Sequence, residues 1–367
     1  MATTTFLFTH SLSYARALFK GVPFMQPAGQ VKRPTPTPTQ TSTKSKLPTT
    51  MATTAIPCVT LNTGHEMPVL GFGTGSSRVP ADLPDTIVHA VRLGYRHLDT
   101  AAMYGTEPAV GAAVAEAVRS GAGGISSRED LFVTSKLGIP NARPGRVVPA
   151  LRESLARLGL DYLDLFLVHW PVAADNPADK ATLAEFDMEG VWRGMEECRR
   201  LGLARSVGVS NFSAAKMERL LALAAVPPAV NQVELNVGWR QEKVREVCAR
   251  HGVVVSAYSP LGAYGASWGS DAVMHSGVMH HVAAAKAKTV AQVALRWVYE
   301  QGVCFVARSF NKERLKQNMD IFVDWELSDE DKAMIATIPQ KRACQGDYFV
   351  SPDGPYKSLE ELWDGEM

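Results

Sequence analysis

One pattern recurs between Val69 and Met319 and limits the chain more than anything else in it: an apolar run suited to a buried strand, then an amphipathic run suited to a helix. The pairs are Val69 to Thr74 with Leu83 to Leu93, Tyr95 to Thr100 with Glu107 to Ser120, Leu131 to Lys136 with Arg146 to Leu158, and Leu163 to His169 with Glu189 to Arg200. They continue as Ala204 to Ser210 with Ala214 to Ala222, Val230 to Leu235 with Gln241 to His251, Val253 to Tyr258 with Val290 to Glu300, and Val303 to Ala307 with Lys312 to Met319. Continuous apolar strands alternating with helices predict a parallel sheet covered on its faces. Eight units predict an α/β fold closed into a (β/α)8 TIM barrel. Ahead of them, Cys58 to Leu61 and Met67 to Leu70 flank the turn Asn62-Thr63-Gly64-His65, which predicts an N-terminal β-hairpin. A doubly wound open sheet is the rival. Its glycine-rich phosphate turn is poorly matched by Gly71-Phe72-Gly73-Thr74-Gly75, which runs into Ser76 to Pro80 rather than into a helix.

The segment before the hairpin is built differently. Residues 1–50 are rich in Thr, Ser and Pro, carry basic residues, and hold no acid; the first carboxylate is Glu66. That composition is expected of a chloroplast-type transit peptide. Met51-Ala52-Thr53-Thr54 repeats Met1-Ala2-Thr3-Thr4, so a start at Met51, giving a cytoplasmic protein, is the competing expectation. Either way, residues 1–50 are expected to form a disordered extension and 51–367 the barrel. A net charge of +1 offers no attraction for nucleic acid or a membrane surface, and no apolar run approaches the length of a bilayer span. The five cysteines are spread without a close pair, as expected of reduced thiols.

In such a barrel, the residues at the C-terminal ends of the strands converge on one mouth. The second unit brings Asp99 and, just beyond, Tyr104; the third Lys136; the fourth His169 and Trp170. The fifth brings Ser210 and Asn211, the sixth Gln232 and Glu234, the seventh Tyr258 and Ser259, the eighth Arg308 and Ser309. Singly, each has a structural role open to it: Lys136 as a cap, His169 as a bonded core histidine, Tyr258 as a buried ring. Together, Asp99, Tyr104, Lys136 and His169 suit proton transfer to a carbonyl oxygen. An ammonium beside a phenol lowers its pKa, and a carboxylate holds the ammonium in place. Tyr104 is therefore expected as general acid, Lys136 as its tuner, Asp99 as the partner of Lys136, and His169 as a donor orienting the substrate oxygen. A glycosidase would need a second carboxylate opposite Asp99, for which Glu234 is a weak candidate. A metal site on His97 and Asp99 lacks a histidine pair at ligand spacing, and no metal is expected.

Gly94 to Tyr104, Thr134 to Leu137, Leu167 to Pro171, Val207 to Phe212, Asn231 to Glu234 and Ala257 to Gly262 resemble, in order, the strand-end motifs of the aldo-keto reductases. The resemblance runs from about residue 56 to the C-terminus. It implies a barrel that binds NADPH without a Rossmann domain and reduces an aldehyde or ketone to an alcohol, with Asp99, Tyr104, Lys136 and His169 as its tetrad. By the same likeness, Ser210, Asn211 and Gln232 hold the nicotinamide carboxamide, Tyr258 stacks on the nicotinamide, and Ser259 and Leu261 meet the pyrophosphate. Arg308, Ser309, Arg314, Gln317 and Asn318 resemble the segment that takes the adenosine 2′-phosphate and adenine. A helix start flanked by two arginines suits an anion. Trp170 and the tail from Cys344 to Met367 are expected at the substrate mouth. Met195 to Cys198 and Val226 to Val230 look most like plant members of the chalcone reductase, codeinone reductase and deoxymugineic acid synthase group. A monomer acting on a small carbonyl compound is expected; the alternative is a cofactor-binding regulatory or partner protein of a biosynthetic complex.

Overall fold

The computed structural model describes residues 55–266 and 268–367; the expected extension at 1–50 and the alternative start at Met51 lie outside the described residues. The hairpin is present as β1 (Cys58–Thr60) and β2 (Glu66–Pro68), paired antiparallel. There follow β3 (Leu70–Gly73), α1 (Leu83–Leu93), β4 (His97–Asp99), α2 (Glu107–Ser120), β5 (Phe132–Leu137), α3 (Val147–Leu158) and β6 (Leu163–Val168). A two-residue hairpin, β7 (Ala173–Ala174) and β8 (Leu183–Ala184), precedes α4 (Met188–Arg200), β9 (Ala204–Ser210), α5 (Ala214–Leu223), β10 (Val230–Glu234), α6 (Glu242–Arg250) and β11 (Val254–Tyr258). The remainder is α7 (Gly277–Ala285), α8 (Val290–Glu300), β12 (Cys304–Ala307), α9 (Lys312–Met319), α10 (Asp329–Ala336) and α11 (Leu359–Trp363).

Eight strands close into a barrel in the order β3-β4-β5-β6-β9-β10-β11-β12. Every neighbouring pair is parallel. Such strands bury both faces, and all six residues of β5 and of β6 are buried, which is why they read as continuous apolar runs. The β1–β2 hairpin crosses the strand starts: Asn62 donates to the Pro228 carbonyl, and the Thr63 hydroxyl lies 2.7 Å from that of Ser206. Helix α1 takes Pro84 in its first turn and ends at Gly94, whose φ of 117° only glycine adopts without strain. Helix α2 packs so close to α3 that a Cβ on Gly111 would lie 2.0 Å from the Leu158 carbonyl oxygen.

Three helices depart from the sequence reading, the shortest being α11 in the tail. Helix α7 occupies part of the stretch between the seventh strand and the helix paired with it, capped by Ser276, whose side chain accepts from the Met279 amide. Its run of valine, alanine and methionine has little polar face to set a period. Helix α10 follows β12 and α9, outside the eight-unit repeat, and starts on a reciprocal capping box between Ser328 and Asp331.

The tail folds back across the C-terminal mouth. Trp170 stands 4.9 Å from Phe349 and 5.8 Å from Trp363, ring centre to ring centre, and the Tyr356 hydroxyl donates to the Pro171 carbonyl. The far end is fastened to α5: Lys216, fully buried, donates to the Leu362 carbonyl at 2.7 Å and to Asp364 at 2.5 Å. Arg342 stacks on Trp363, 3.5 Å from its centre, and donates to the Glu366 carbonyl.

Candidate active site

Each expected tetrad residue arrives on a different strand end or the loop behind it. Asp99 closes β4, Lys136 sits near the end of β5, His169 follows β6, and Tyr104 stands five residues beyond Asp99 in a short 3-10 turn, Ala102–Tyr104. The structure brings all four together. Lys136 Nζ donates to Asp99 Oδ1 at 2.6 Å and to the Thr100 carbonyl at 3.0 Å. Its ammonium lies 5.1 Å from the centre of the Tyr104 ring. The Tyr104 hydroxyl is 3.4 Å from His169 Nε2, with the two rings edge to face.

Burial sets the protonation states. Lys136 is 0% exposed and Asp99 3%. Desolvation pulls the Lys136 amine below its ordinary value, opposed by the charge and hydrogen bond of Asp99. His169 is held well below the usual histidine range, first by burial and then by the charge of Lys136, so it is neutral. The phenol of Tyr104 is pushed well above the usual tyrosine value by burial, then by Asp99 and Cys344. Desolvation of the ring is the first cause of this net direction, and the ammonium of Lys136 gives hydrogen bonds to Asp99 and Thr100. Tyr104 is thus a protonated donor at neutral pH.

The remaining strand-end residues form a linked set. Ser210 donates to the Gln232 carbonyl at 2.7 Å, and Gln232 Nε2 donates to Asp99 Oδ2 at 2.9 Å. Asn211, at a left-handed φ of 63°, donates to the His169 carbonyl and to Ser210 Oγ, and accepts from the Tyr258 hydroxyl at 2.6 Å. Both of its amide protons are therefore committed, while its carbonyl oxygen keeps one acceptor site beside the Tyr258 hydroxyl. Glu234 does not face Asp99 as a second acid; its carboxylate accepts from the Ala343 and Cys344 amides and so anchors the tail.

These groups open into a cleft of about 920 Å³. Asp99, Tyr104, His169, Trp170, Ser210, Asn211 and Gln232 line it, and Lys136 is bonded to Asp99. Tyr258, Ser259 and Leu261 line it too, as do Arg308 and Ser309 ahead of α9 and Arg314, Gln317 and Asn318 along it. Arg308 donates to the buried Ser76 hydroxyl at 2.7 Å, while Arg314 is exposed. An aromatic face, a row of amides and two cations beside a helix start fit a long dinucleotide with phosphates, and the volume exceeds what a small carbonyl compound alone requires. The Nδ1 of His169 is buried without a partner among the described residues.

Sequence reasoning missed Gly75, Met103 and Thr289, which also line the cleft, as does Met274. Met103 adjoins Tyr104, and its neighbourhood was the available signal; Met274 and Thr289 reach the cleft only through the fold of the segment around α7. Cys344 and Tyr348 line it from the tail, as expected.

The chain matches the aldo/keto reductase family over residues 69–339. It is 50% identical over 320 residues to the 7-acetyl-epi-neemfruitin B aldo-keto reductase of Melia azedarach, spanning 86% of this chain and 99% of the relative. It is 53% identical over 310 residues to deoxymugineic acid synthase 1 of Zea mays, spanning 82% and 97%. Among solved structures, the Bombyx mori aldo-keto reductase in complex with NADP superposes with a TM-score of 0.74 at 36% identity, over 82% of this chain and 98% of that one. Strand order, strand-end chemistry and relatives agree, and the chain belongs to the aldo/keto reductase family.

Proposed function

We propose that Tyr104 is the proton donor of an NADPH-dependent reduction of an aldehyde or ketone to an alcohol. The observation that carries this is the Tyr104 hydroxyl 3.4 Å from His169 Nε2, with the Lys136 ammonium 5.1 Å from the centre of the same tyrosine ring. When bound, NADPH supplies the hydride that goes to the carbonyl carbon. Tyr104 gives its proton to the carbonyl oxygen, and the phenolate left behind faces the ammonium of Lys136, which Asp99 keeps in place. Neutral His169 orients the oxygen, and Trp170 walls the substrate side. Ser210, Asn211 and Gln232 hold the nicotinamide end, Tyr258 stacks on it, Ser259 and Leu261 meet the pyrophosphate, and Arg308, Ser309, Arg314, Gln317 and Asn318 take the phosphate and adenine end.

The substrate in this reading is a small carbonyl compound, and the enzyme acts as a monomer. No helix among the described residues is long and apolar enough to cross a membrane. The proposal places the protein in the cytoplasm, or in the chloroplast where residues 1–50 act as a transit peptide ahead of a barrel spanning 51–367. A purely regulatory role is not favoured, because the four tetrad residues are present and in mutual reach. Tyr104→Phe tests the reading: turnover of a carbonyl panel should fall roughly a hundredfold or more, with NADPH binding, followed by fluorescence, kept. Turnover equal to that of the unaltered protein would refute it.

A further inference from the structure

We infer that Thr106 is a positioning residue for Lys136: with Thr74 and Thr100 it forms a buried chain of hydroxyls that fixes the carbonyl to which the ammonium donates. The inference rests on Lys136 belonging to the proton-donating set.

Thr106 stands at the N-cap of α2, where a threonine ordinarily accepts from a backbone amide of the first turn. Here it makes no such bond. Its hydroxyl lies instead 2.8 Å from that of Thr74 and 2.8 Å from that of Thr100. All three side chains are buried. The direction of the chain follows from counting protons, because each hydroxyl has one to give. Thr74 spends its proton on the Asp99 carbonyl at 3.0 Å, so it accepts from Thr106, and Thr106 accepts from Thr100. The backbone amide of Thr74 also donates to the Asp99 carbonyl, and that of Thr100 donates to the Thr134 carbonyl on β5. Asp99 and Thr100 are thereby held on both sides, and between these fixings the Thr100 carbonyl meets Lys136 Nζ at 3.0 Å.

The next residue supports the lysine from its own strand. Glu107, the first residue of α2, accepts from the Ser135 hydroxyl at 2.6 Å and from Arg157 at 2.6 Å. Ser135 precedes Lys136 in β5. Two consecutive residues at the start of one helix thus brace both the strand that carries the ammonium and the carbonyl it donates to. Sites held this way by a rigid element keep their geometry through catalysis.

Asp99, Tyr104, His97 and His169 are the titratable groups around Lys136, and none is altered by a change at position 106. In Thr106→Val, Thr74 loses its donor and Thr100 its acceptor at nearly constant volume. The expected result in the NADPH-loaded enzyme is a kcat lower by about tenfold. The alkaline limb of its pH profile should move to lower pH, since an ammonium that loses a fixed acceptor is less stabilised in its charged form. NADPH affinity should stay within about twofold, and Thr106→Ser should restore both kcat and the limb. A Thr106→Val enzyme that melts earlier but keeps kcat and its alkaline limb would overturn the inference. Thr100→Val breaks the other end of the chain and gives the same reading should the first variant not fold. Unchanged turnover in Tyr104→Phe would bring down the proton-donor reading and this one with it.

Discussion

Lys136→Met removes one half of an ion pair from which water is excluded. The lysine is 0% exposed and its partner Asp99 3%, so neither charge can turn to solvent when the other is lost. The change deletes the 2.6 Å bond to Asp99 Oδ1 and the 3.0 Å bond to the Thr100 carbonyl, leaving Asp99 only the Gln232 amide at 2.9 Å. Breaking a buried pair from one side costs about 3–5 kcal/mol, most of it the penalty for the stranded charge. For a domain of this size each kcal/mol is worth roughly 2 °C, so an apparent midpoint drop of about 6–10 °C is expected by circular dichroism. The discriminating measurement is the double change. Asp99→Asn with Lys136→Met leaves no unpaired charge and should recover most of the loss while leaving turnover abolished. A single variant as stable as the parent, or a double variant no better than the single, would refute the argument that the pair is held against its desolvation cost.

Arg314→Ala should raise the KM for NADPH by about tenfold, as loss of a charge-assisted phosphate contact does, and leave the KM for NADH nearly unchanged; equal effects on both would remove Arg314 from the phosphate site. Burial holds both His97 and His169 below the ordinary histidine pKa, so the unfolded chain takes up protons first as pH falls. Stability should therefore decline below about pH 6.5, by up to about 1.4 kcal/mol per pH unit for each histidine. Thermal midpoints that stay flat from pH 7 to 5 would contradict this.

Much of the site was legible because its residues lie where a repeated pattern changes character. Most of the apolar runs end on or beside a polar residue, and the barrel sends those ends to one place: Asp99, Lys136, His169, Ser210 and Tyr258 all met there. What stayed hidden depends on contacts between distant segments. Nothing local marks Glu234 as an anchor for Ala343 and Cys344 rather than as an acid. The direction of the Tyr104 pKa follows from how deeply its ring is buried, which no spacing encodes. Asn211 satisfies itself through Tyr258, far along the chain. Thr106 meets Thr74 across 32 residues of chain, a pairing that nothing in its own neighbourhood marks.

The fastening of the tail separates two kinds of change in this molecule. In the proposed reading, proton delivery rests on Tyr104 and on the strand ends that hold Lys136 and Asp99. The substrate side is closed by a segment that reaches Trp170 through Phe349 and Trp363 and is tied down at Glu234, Lys216 and Arg342. The tail thus meets the cleft through Cys344 and Tyr348, while the Lys136–Asp99 pair beneath is bonded only within the barrel and its strand-end loops.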